Sequence, residues 1–194
     1  MIETSRLTLR PMKAEDEELL FRLYSDEEIL RYSPFDTMDR AAVQRHLQRI
    51  LREWEQPSPA NYEFAAVRKS DGVSIGRCHT EIDPETDTAM IGCHLLQTFW
   101  RQGFATEICR ALMDHSFEHL NVHRVNALCN PENLGSRRML EACGLRLEAH
   151  FRKSAAMSST ASPSGRTNCS TRSCARNGKR GSAVDKHCRR LCCA

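Results

Sequence analysis

The stretch FWRQGFATEICRALMDHSF, residues 99–117, contains residue types and spacings that could carry chemistry. Gly103 and Ala105 stand where a strand-like run gives way to a helical pattern in which Ile108 and Leu112 recur at helical spacing. A tight loop that leads into a helix exposes backbone N–H groups and the positive end of the helix dipole. Such a loop could bind a phosphate group, although small residues also suit the packing of a helix against a sheet.

The elements around this loop predict a mixed α/β domain built on one sheet. Alternating apolar residues, helical spacing and the Asp71-Gly72 turn signal give the order strand, helices, antiparallel meander, helix, strand, helix, strand. Asp36 or Thr37 is the predicted cap of the long helix that precedes Pro57. The predicted elements are strands at 6–12, 88–96, 123–129 and 145–151, a hairpin over 61–82, and helices at 13–24, 37–56, 106–120 and 134–144.

Length and composition restrict the class of protein. With 194 residues the chain is long enough to bury a core as a single domain. It contains no run of about 18 apolar residues and its start lacks the apolar stretch of a signal peptide, so a cytoplasmic location is expected. None of the ten cysteines forms the paired C-x-x-C spacing of a zinc site, so no metal is expected.

Charge divides the chain into a body and a tail. Eight of the 28 basic residues but one of the 25 acidic residues lie from residue 154 onward, so the body has a net charge of −4 and the tail +7. The tail, residues 154–194, also contains five cysteines and shows no periodicity, which predicts a basic, Cys-rich, disordered segment. A role in nucleic-acid binding is disfavoured, because the tail lacks the aromatic residues typical of single-strand binders.

Three motifs carry a resemblance to a known family. They are ETSRLTLRP at 3–11, FWRQGFATE at 99–107 and NPENLGSRRMLEACGLRLE at 130–148. In this order and spacing the chain resembles the GNAT acetyltransferases over residues 2–152, specifically the branch that includes the N-terminal acetyltransferases of ribosomal proteins. The resemblance implies the GNAT fold, a mostly antiparallel sheet flanked by helices. It also implies an N-acetyltransferase that moves an acetyl group from acetyl-CoA to a primary amine, such as a protein N-terminus or a small-molecule amine.

The resemblance also implies which residues hold the co-substrate. Backbone amides of residues 101–106 would bind the pyrophosphate, the pantetheine arm would lie beside the strand that ends at 94–96, and Asn133 would hydrogen-bond the arm. Trp100 departs from the family pattern, which usually has Gln or Arg there. The implied binding residues are Leu95, Leu96, Arg101, Gln102, Gly103, Phe104, Ala105, Thr106 and Asn133.

Acetylation of an amine also needs proton transfer and stabilisation of the departing thiolate. Ser136 matches the family's serine near the sulfur and is predicted to assist the thiolate, although it could also be an ordinary surface serine. Many relatives carry a glutamate base where this chain has Met90, and a thioether cannot accept a proton. His94 lies on the same predicted strand face and has an ordinary pKa near 6.5, so it is the predicted base. The alternatives are water and the hairpin residues His79, Glu81 and Asp83.

The tail permits a further interpretation. Synonymous codons for residues 167–180 can be chosen so that a reading that starts one base earlier gives DELLYAILREEWEA, which resembles the missing last strand of the family. We therefore interpret residues 154–194 as a frameshifted reading that starts near 153–157, and we expect the last strand of the sheet to be missing. Because that strand and the usual glutamate are both absent, the alternative function is a catalytically silent protein that binds CoA.

Overall fold

A computed structural model describes residues 1–151 and 171–177 of the chain. Its strands are β1 (Ile2–Glu3), β2 (Leu7–Pro11), β3 (Asn61–Arg68), β4 (Ser74–Asp83), β5 (Thr88–Leu95), β6 (Arg124–Cys129), β7 (Arg146–Phe151) and β8 (Thr171–Asn177). They form one sheet in the order β1-β2-β3-β4-β5-β6-β8-β7. Neighbouring strands pair antiparallel except β5 and β6, which are parallel. The predicted mixed fold with a mostly antiparallel sheet is confirmed.

The α-helices of the described residues are α1 (Glu17–Tyr24), α2 (Glu27–Leu30), α3 (Arg40–Trp54), α4 (Phe104–Glu118) and α5 (Leu134–Ala142). The cap predicted for α3 is wrong: Asp39, not Asp36 or Thr37, accepts a hydrogen bond from the Ala42 N–H at 2.7 Å, because the helix begins three residues later than predicted. None of these helices is long and apolar enough to cross a bilayer. The same described residues contain no group of three His, Cys, Asp or Glu side chains that could hold a metal ion.

The two faces of the sheet have separate cores. Helix α4 covers one face, on which alternate residues of β5 pack against the apolar side of the helix; this core includes Ala89, Ile91, Leu95, Ile108 and Leu112. The other face is covered by α1, α2 and α3; this core includes Leu20, Leu23, Val43, Leu47 and Ala65. Because side chains alternate along a strand, residues of β5 that do not face α4 must face the α1–α3 side.

Strand β8 corrects two predictions about the tail. Residues Thr171–Asn177 pair with β6 over Arg124–Cys129 and with β7 over Arg146–Phe151, so the last strand of the sheet is present rather than missing. For these seven residues the prediction of disorder is also wrong. The physical reason is that β6 and β7 are separated by the width of one strand, and backbone N–H and C=O groups can fill that space whatever the side chains are. Residues 152–170 and 178–194, including the predicted start of the frameshift, lie outside the described residues.

Candidate active site

The parallel strands β5 and β6 diverge and leave a cleft between them. Their pairing consists of Thr88 with Arg124, Ala89 with Val125, and Met90 with Asn126. Beyond these pairs β5 continues to residue 95 alongside β4, and β6 continues to residue 129 alongside β8. The cleft therefore opens toward the carboxyl ends of both strands, and ligands in sheets with parallel strands bind at that edge.

Backbone groups of β5 face into this cleft. The Leu96 N–H donates to the Ile75 carbonyl of β4 at 3.0 Å. Because the hydrogen-bonding direction alternates along an antiparallel pair, Cys93 and Leu95 direct their N–H and C=O groups away from β4. The Leu95 carbonyl accepts a hydrogen bond from the Trp100 indole Nε1 at 2.7 Å. An extended ligand in the cleft would thus meet Cys93 and the N–H of Leu95. The N–H of Leu96, a predicted binding residue, is already bonded to β4.

The loop after β5 presents its backbone to solvent as the sequence predicts. Arg101 and Gly103 have positive φ angles of 59° and 80°, so the chain makes two left-handed steps just before α4 begins. Gly103 occupies the N-cap position and supplies no side chain to cap the helix. Within the described residues, nothing accepts a hydrogen bond from the first amides of α4, which belong to Phe104, Ala105 and Thr106. These amides and the helix dipole form an anion-binding position.

Side chains hold this loop in place. The Trp100 indole bonds to the end of β5, and the Gln102 side-chain amide donates to the Thr98 carbonyl at 2.8 Å. Trp100 therefore has a structural role at the position where the family usually has Gln or Arg. Because the indole closes the loop back onto β5, the substitution is compatible with the anion-binding geometry.

A cluster that sequence reasoning missed joins the first and second motifs. The Glu107 carboxylate, 15% exposed, accepts hydrogen bonds from the Thr4 hydroxyl (2.6 Å), the Ser5 hydroxyl (3.0 Å), the Arg6 N–H (2.8 Å) and Arg6 Nε (2.7 Å). Burial raises the pKa of Glu107, but the hydrogen bonds from Thr4, Arg6 and Ser5 outweigh it and lower the pKa to about 2. No local pattern links Thr4-Ser5-Arg6 in one motif to Glu107 in the other, because about a hundred residues separate them.

Helix α5 provides the other wall of the site. The Asn133 side-chain oxygen accepts from the Ser136 N–H at 2.9 Å and so caps the helix start, while the Ser136 hydroxyl makes no hydrogen bond to any described residue. At the opposite end, the Cys143 thiol approaches the Thr106 carbonyl at 3.6 Å. At a rise of 1.5 Å per residue, Asn133 lies about 15 Å and Ser136 about 10 Å along α5 from Cys143, the end that meets Thr106.

The predicted base, His94, lies in a buried polar cluster on the α1–α3 side of the sheet. Its centre is Arg77, which forms an ion pair with Glu63 at 2.7 Å and donates to the Tyr24 hydroxyl at 2.8 Å. Arg77 also donates to His79 Nδ1 at 2.9 Å and lies 3.5 Å from His94 Nδ1. Because a guanidinium can only donate, the Nδ1 atoms of both rings act as acceptors and their protons sit on Nε2.

This cluster overturns the reason for choosing His94. Burial, and then the positive charge of Arg77, lower the pKa of His94 from 6.5 to about 3. The same two causes, with His94 added, lower the pKa of His79 well below its ordinary value. The expectation that His94 has an ordinary histidine pKa is therefore wrong, and His94 is a neutral, weakly basic group throughout the physiological range.

The sheet register places a carboxylate, Glu81, next to Met90, the position at which the resemblance implies a glutamate base. Glu81 pairs directly with Met90 across β4 and β5, and Arg77 and His79 precede it on the same face of β4. Directly opposed residues have Cβ atoms about 5 Å apart. Glu81 is exposed, and its carboxylate forms no hydrogen bond or ion pair with the described residues. It therefore lies beside the point at which β5 and β6 separate.

Comparison with known proteins agrees with this geometry. Residues 6–146 match the family model of the acetyltransferase (GNAT) domain. The uncharacterized N-acetyltransferase p20 of Bacillus licheniformis is 34% identical over 153 residues, which cover 77% of this chain and 84% of that protein.

Two solved structures share the fold. Spermidine N-acetyltransferase from Vibrio cholerae, in complex with CoA and spermine, has a TM-score of 0.73 at 20% identity, covering 89% of this chain and 96% of that chain. The ribosomal L7/L12 alpha-N-protein acetyltransferase RimL, in complex with CoA, has a TM-score of 0.74 at 18% identity, covering 90% of this chain and 95% of that chain.

Proposed function

Because the chain belongs to the acetyltransferase (GNAT) domain family, we propose that it is an N-acetyltransferase that moves an acetyl group from acetyl-CoA to a primary amine. The observation that carries this proposal is the cleft between β5 and β6 beside the uncapped start of α4. The two features together offer an anion position and an extended backbone edge. These are what a pyrophosphate joined to a pantetheine arm requires.

The residues present fit acetyl-CoA. The amides of Phe104, Ala105 and Thr106 would bind the pyrophosphate, with Arg101, Gln102 and Gly103 shaping the loop. Cys93 and Leu95 would hydrogen-bond the pantetheine arm. An arm that extends about 10–15 Å along α5 would reach Ser136 and Asn133. When bound, acetyl-CoA supplies an acetyl group activated as a thioester.

For the proton transfer we favour Glu81 over His94. Glu81 is an exposed carboxylate directly across from Met90, so it can meet an ammonium that enters over this face of the sheet. His94 keeps its proton on Nε2 and its Nδ1 toward Arg77, so we assign it to the wall of the acceptor site. The free hydroxyl of Ser136 remains the proposed donor to the departing sulfur.

The acceptor is proposed to be a protein N-terminus or a small-molecule amine in the cytoplasm. Relatives of the same fold include a spermidine N-acetyltransferase and an acetyltransferase of a ribosomal protein N-terminus, which marks both kinds of amine as candidates. An exposed carboxylate beside the reaction position suits a cationic amine of either kind.

A second candidate function is CoA binding without turnover. The specific observation in its favour is that Met90, which cannot accept a proton, occupies the position at which the resemblance implies a glutamate, while the half-buried His94 is neutral. In this second candidate function the cleft and the loop would still bind CoA, but no acetyl group would be transferred.

Two measurements test the proposal. Calorimetry with CoA should give a defined affinity, and a thiol-release assay with acetyl-CoA and a panel of N-terminal peptides, polyamines and lysine should show turnover. Binding with no turnover on any amine would favour the silent candidate. If CoA does not bind at all, both candidates fall.

A further inference from the structure

We propose that Arg6 and Glu107 form a clasp that positions the CoA-binding loop and masks a carboxylate beside it. The inference rests on the proposed function and assigns new positioning residues to it. The clasp comprises Thr4, Ser5 and Arg6 from the turn between β1 and β2, together with Glu107 in the first turn of α4.

Arg6 contacts the loop in three places. Its Nε donates to Glu107 at 2.7 Å, its Nη1 donates to the Gln102 carbonyl at 3.0 Å, and its guanidinium lies 4.3 Å from the centre of the Phe104 ring. The Gln102 carbonyl lies between Arg101 and Gly103, which both have positive φ. Because a left-handed backbone is unfavourable for a residue such as Arg101, a partner must hold it, and Arg6 is such a partner.

Arg6 also balances the negative charge of Glu107. Glu107 lies one turn from the amides that would bind a pyrophosphate, and an ionised carboxylate there repels a phosphate group. Its low pKa keeps it ionised at neutral pH, so the repulsion must be compensated by a cation. Arg6 supplies that cation through the Nε contact. Arg6 Nη2 makes no hydrogen bond to the described residues, and a Cβ added to Gly103 would lie 3.4 Å from it.

The clasp thus predicts that the two partners are not equivalent. Removing Arg6 releases the loop and also leaves Glu107 as a bare negative charge. Replacing Glu107 by Gln loosens the clasp but removes the charge. A purely structural ion pair would make the two substitutions similar, because either one breaks the same contact.

The test compares CoA affinity in Arg6→Ala, Glu107→Gln and the double variant by calorimetry at low and high salt. We expect Arg6→Ala to weaken CoA binding by at least about tenfold, a typical size for coupling between sites. High salt should restore part of this loss, since it screens the charge of the Glu107 carboxylate once Arg6 no longer balances it. The double variant should bind CoA more tightly than Arg6→Ala alone.

A matched control comes from β2, the strand that follows Arg6. Arg10 and Asp16 form a two-pronged ion pair at 2.7 Å that is distant from the loop in the sheet. Asp16→Asn should lower the melting temperature and leave CoA affinity unchanged. In steady-state assays Arg6→Ala should raise KM for acetyl-CoA with kcat kept within about twofold, because it acts on binding. Should Arg6→Ala not fold, Arg6→Lys keeps the charge and removes the Nη1 bond to Gln102, and it should show the loss of affinity without the salt effect.

The outcomes separate the two proposals. If the wild-type protein does not bind CoA, the proposed function is overturned and the clasp with it. If the wild-type protein binds CoA and Arg6→Ala binds it equally well, the clasp is overturned and the proposed function stands. Equal losses of CoA affinity in Arg6→Ala and in the double variant would overturn the claim that Arg6 masks the charge of Glu107.

Discussion

The two neighbours of β6 in the sheet are strands of opposite character. Strand β5, TAMIGCHL, alternates so that Ala89, Ile91 and Leu95 enter one core while Met90 and His94 face the other side. Strand β8, TRSCARN, contains two arginines and no Val, Ile, Leu or aromatic residue, yet it lies in the interior of the sheet order. The position of β5 in the sheet follows from its side chains, whereas β8 is held by backbone hydrogen bonds to its two neighbours.

The comparison separates two sources of sheet structure. Backbone hydrogen bonds can extend a sheet wherever two strands leave a gap of the right width, but the net gain per bond is small in water. Stability comes mainly from apolar area buried on the faces, which β5 contributes and the sequence of β8 does not offer. We therefore expect changes at β8 to alter stability, and changes near β5 to alter ligand binding and turnover.

The largest effect is expected from the sequence around β8. Replacing residues 167–180 by DELLYAILREEWEA would introduce Leu, Tyr and Ile where the chain now has Cys, Ser and Thr. Burying several such side chains should raise the free energy of unfolding by about 5 kcal/mol or more, at 1.5–3 kcal/mol for each large side chain. The measurement is chemical denaturation of the two proteins side by side.

A scrambled version of the same fourteen residues is the control for this replacement. It has the same composition without the strand pattern, so it should not stabilise the protein. Equal stabilisation by both versions, or by neither, would contradict the interpretation of the tail as a frameshifted strand. The nucleotide sequence around codons 150–182 tests the same interpretation independently.

The next effect concerns the clasp that holds α4 after β5. The folded pKa of Glu107, about 2, lies below its ordinary value of 4.5, so Glu107 stabilises the fold fully above pH 4.5 and loses this contribution as pH falls toward 2. The shift corresponds to about 3 kcal/mol. Glu107→Gln should flatten the fall in stability between pH 4.5 and 2, as measured by denaturation at a series of pH values. An unchanged acid profile would show that other carboxylates dominate.

Some of these structural features could be predicted from the sequence and others could not. Apolar alternation in β5 and the Gly103 turn are local signals, so the strand, the loop and its amides could be predicted. The Glu107 clasp could not, because its partners lie about a hundred residues apart and nothing local links them. Nor could the environment of His94, since the contact with Arg77 depends on the register of β4 and β5. Strand β8 carries no side-chain signal at all.

Turnover should depend on Glu81, which lies across from Met90 of β5. Glu81→Gln keeps the shape of the side chain and removes the proton acceptor, so we expect kcat to fall by about a hundredfold, the lower range for general-base catalysis. Glu85→Gln, a substitution in the adjoining β4–β5 turn, is the control and should leave kcat unchanged. The measurement is the steady-state rate at saturating acetyl-CoA. Equal rates for the two variants would return the role of base to water.

A substitution at Gly103 should cost less folding stability and still abolish anion binding by the loop. Gly103→Val places a β-branched residue at φ +80°, where a left-handed backbone costs about 1–2 kcal/mol and the loop responds by moving its amides. Gly72→Val is the matched control, because Gly72 has φ +72° with nothing within 4 Å of an added Cβ and lies in the β3–β4 turn, outside the loop and α4. Both should lose similar stability, and only Gly103→Val should lose CoA affinity in calorimetry. Loss in both, or in neither, would contradict the assignment of the loop.

The smallest expected effect is at His94 itself. With a pKa of about 3, His94 is neutral both at pH 5.5 and at pH 7.5, so its protonation cannot shape activity across that range. His94→Ala should therefore leave the slope of the pH–rate profile between these values unchanged, even if the rate falls because the wall of the site is altered. His94 also affects stability, because its pKa is lower in the folded state than in the unfolded state. Below pH 6.5 the unfolded state therefore binds the proton more tightly, and acid destabilises the fold. Removing His94 should make the free energy of unfolding less sensitive to acid between pH 6.5 and 3. A profile that flattens in His94→Ala would mean that bound ligand separates His94 from Arg77, and His94 would then regain the role of base.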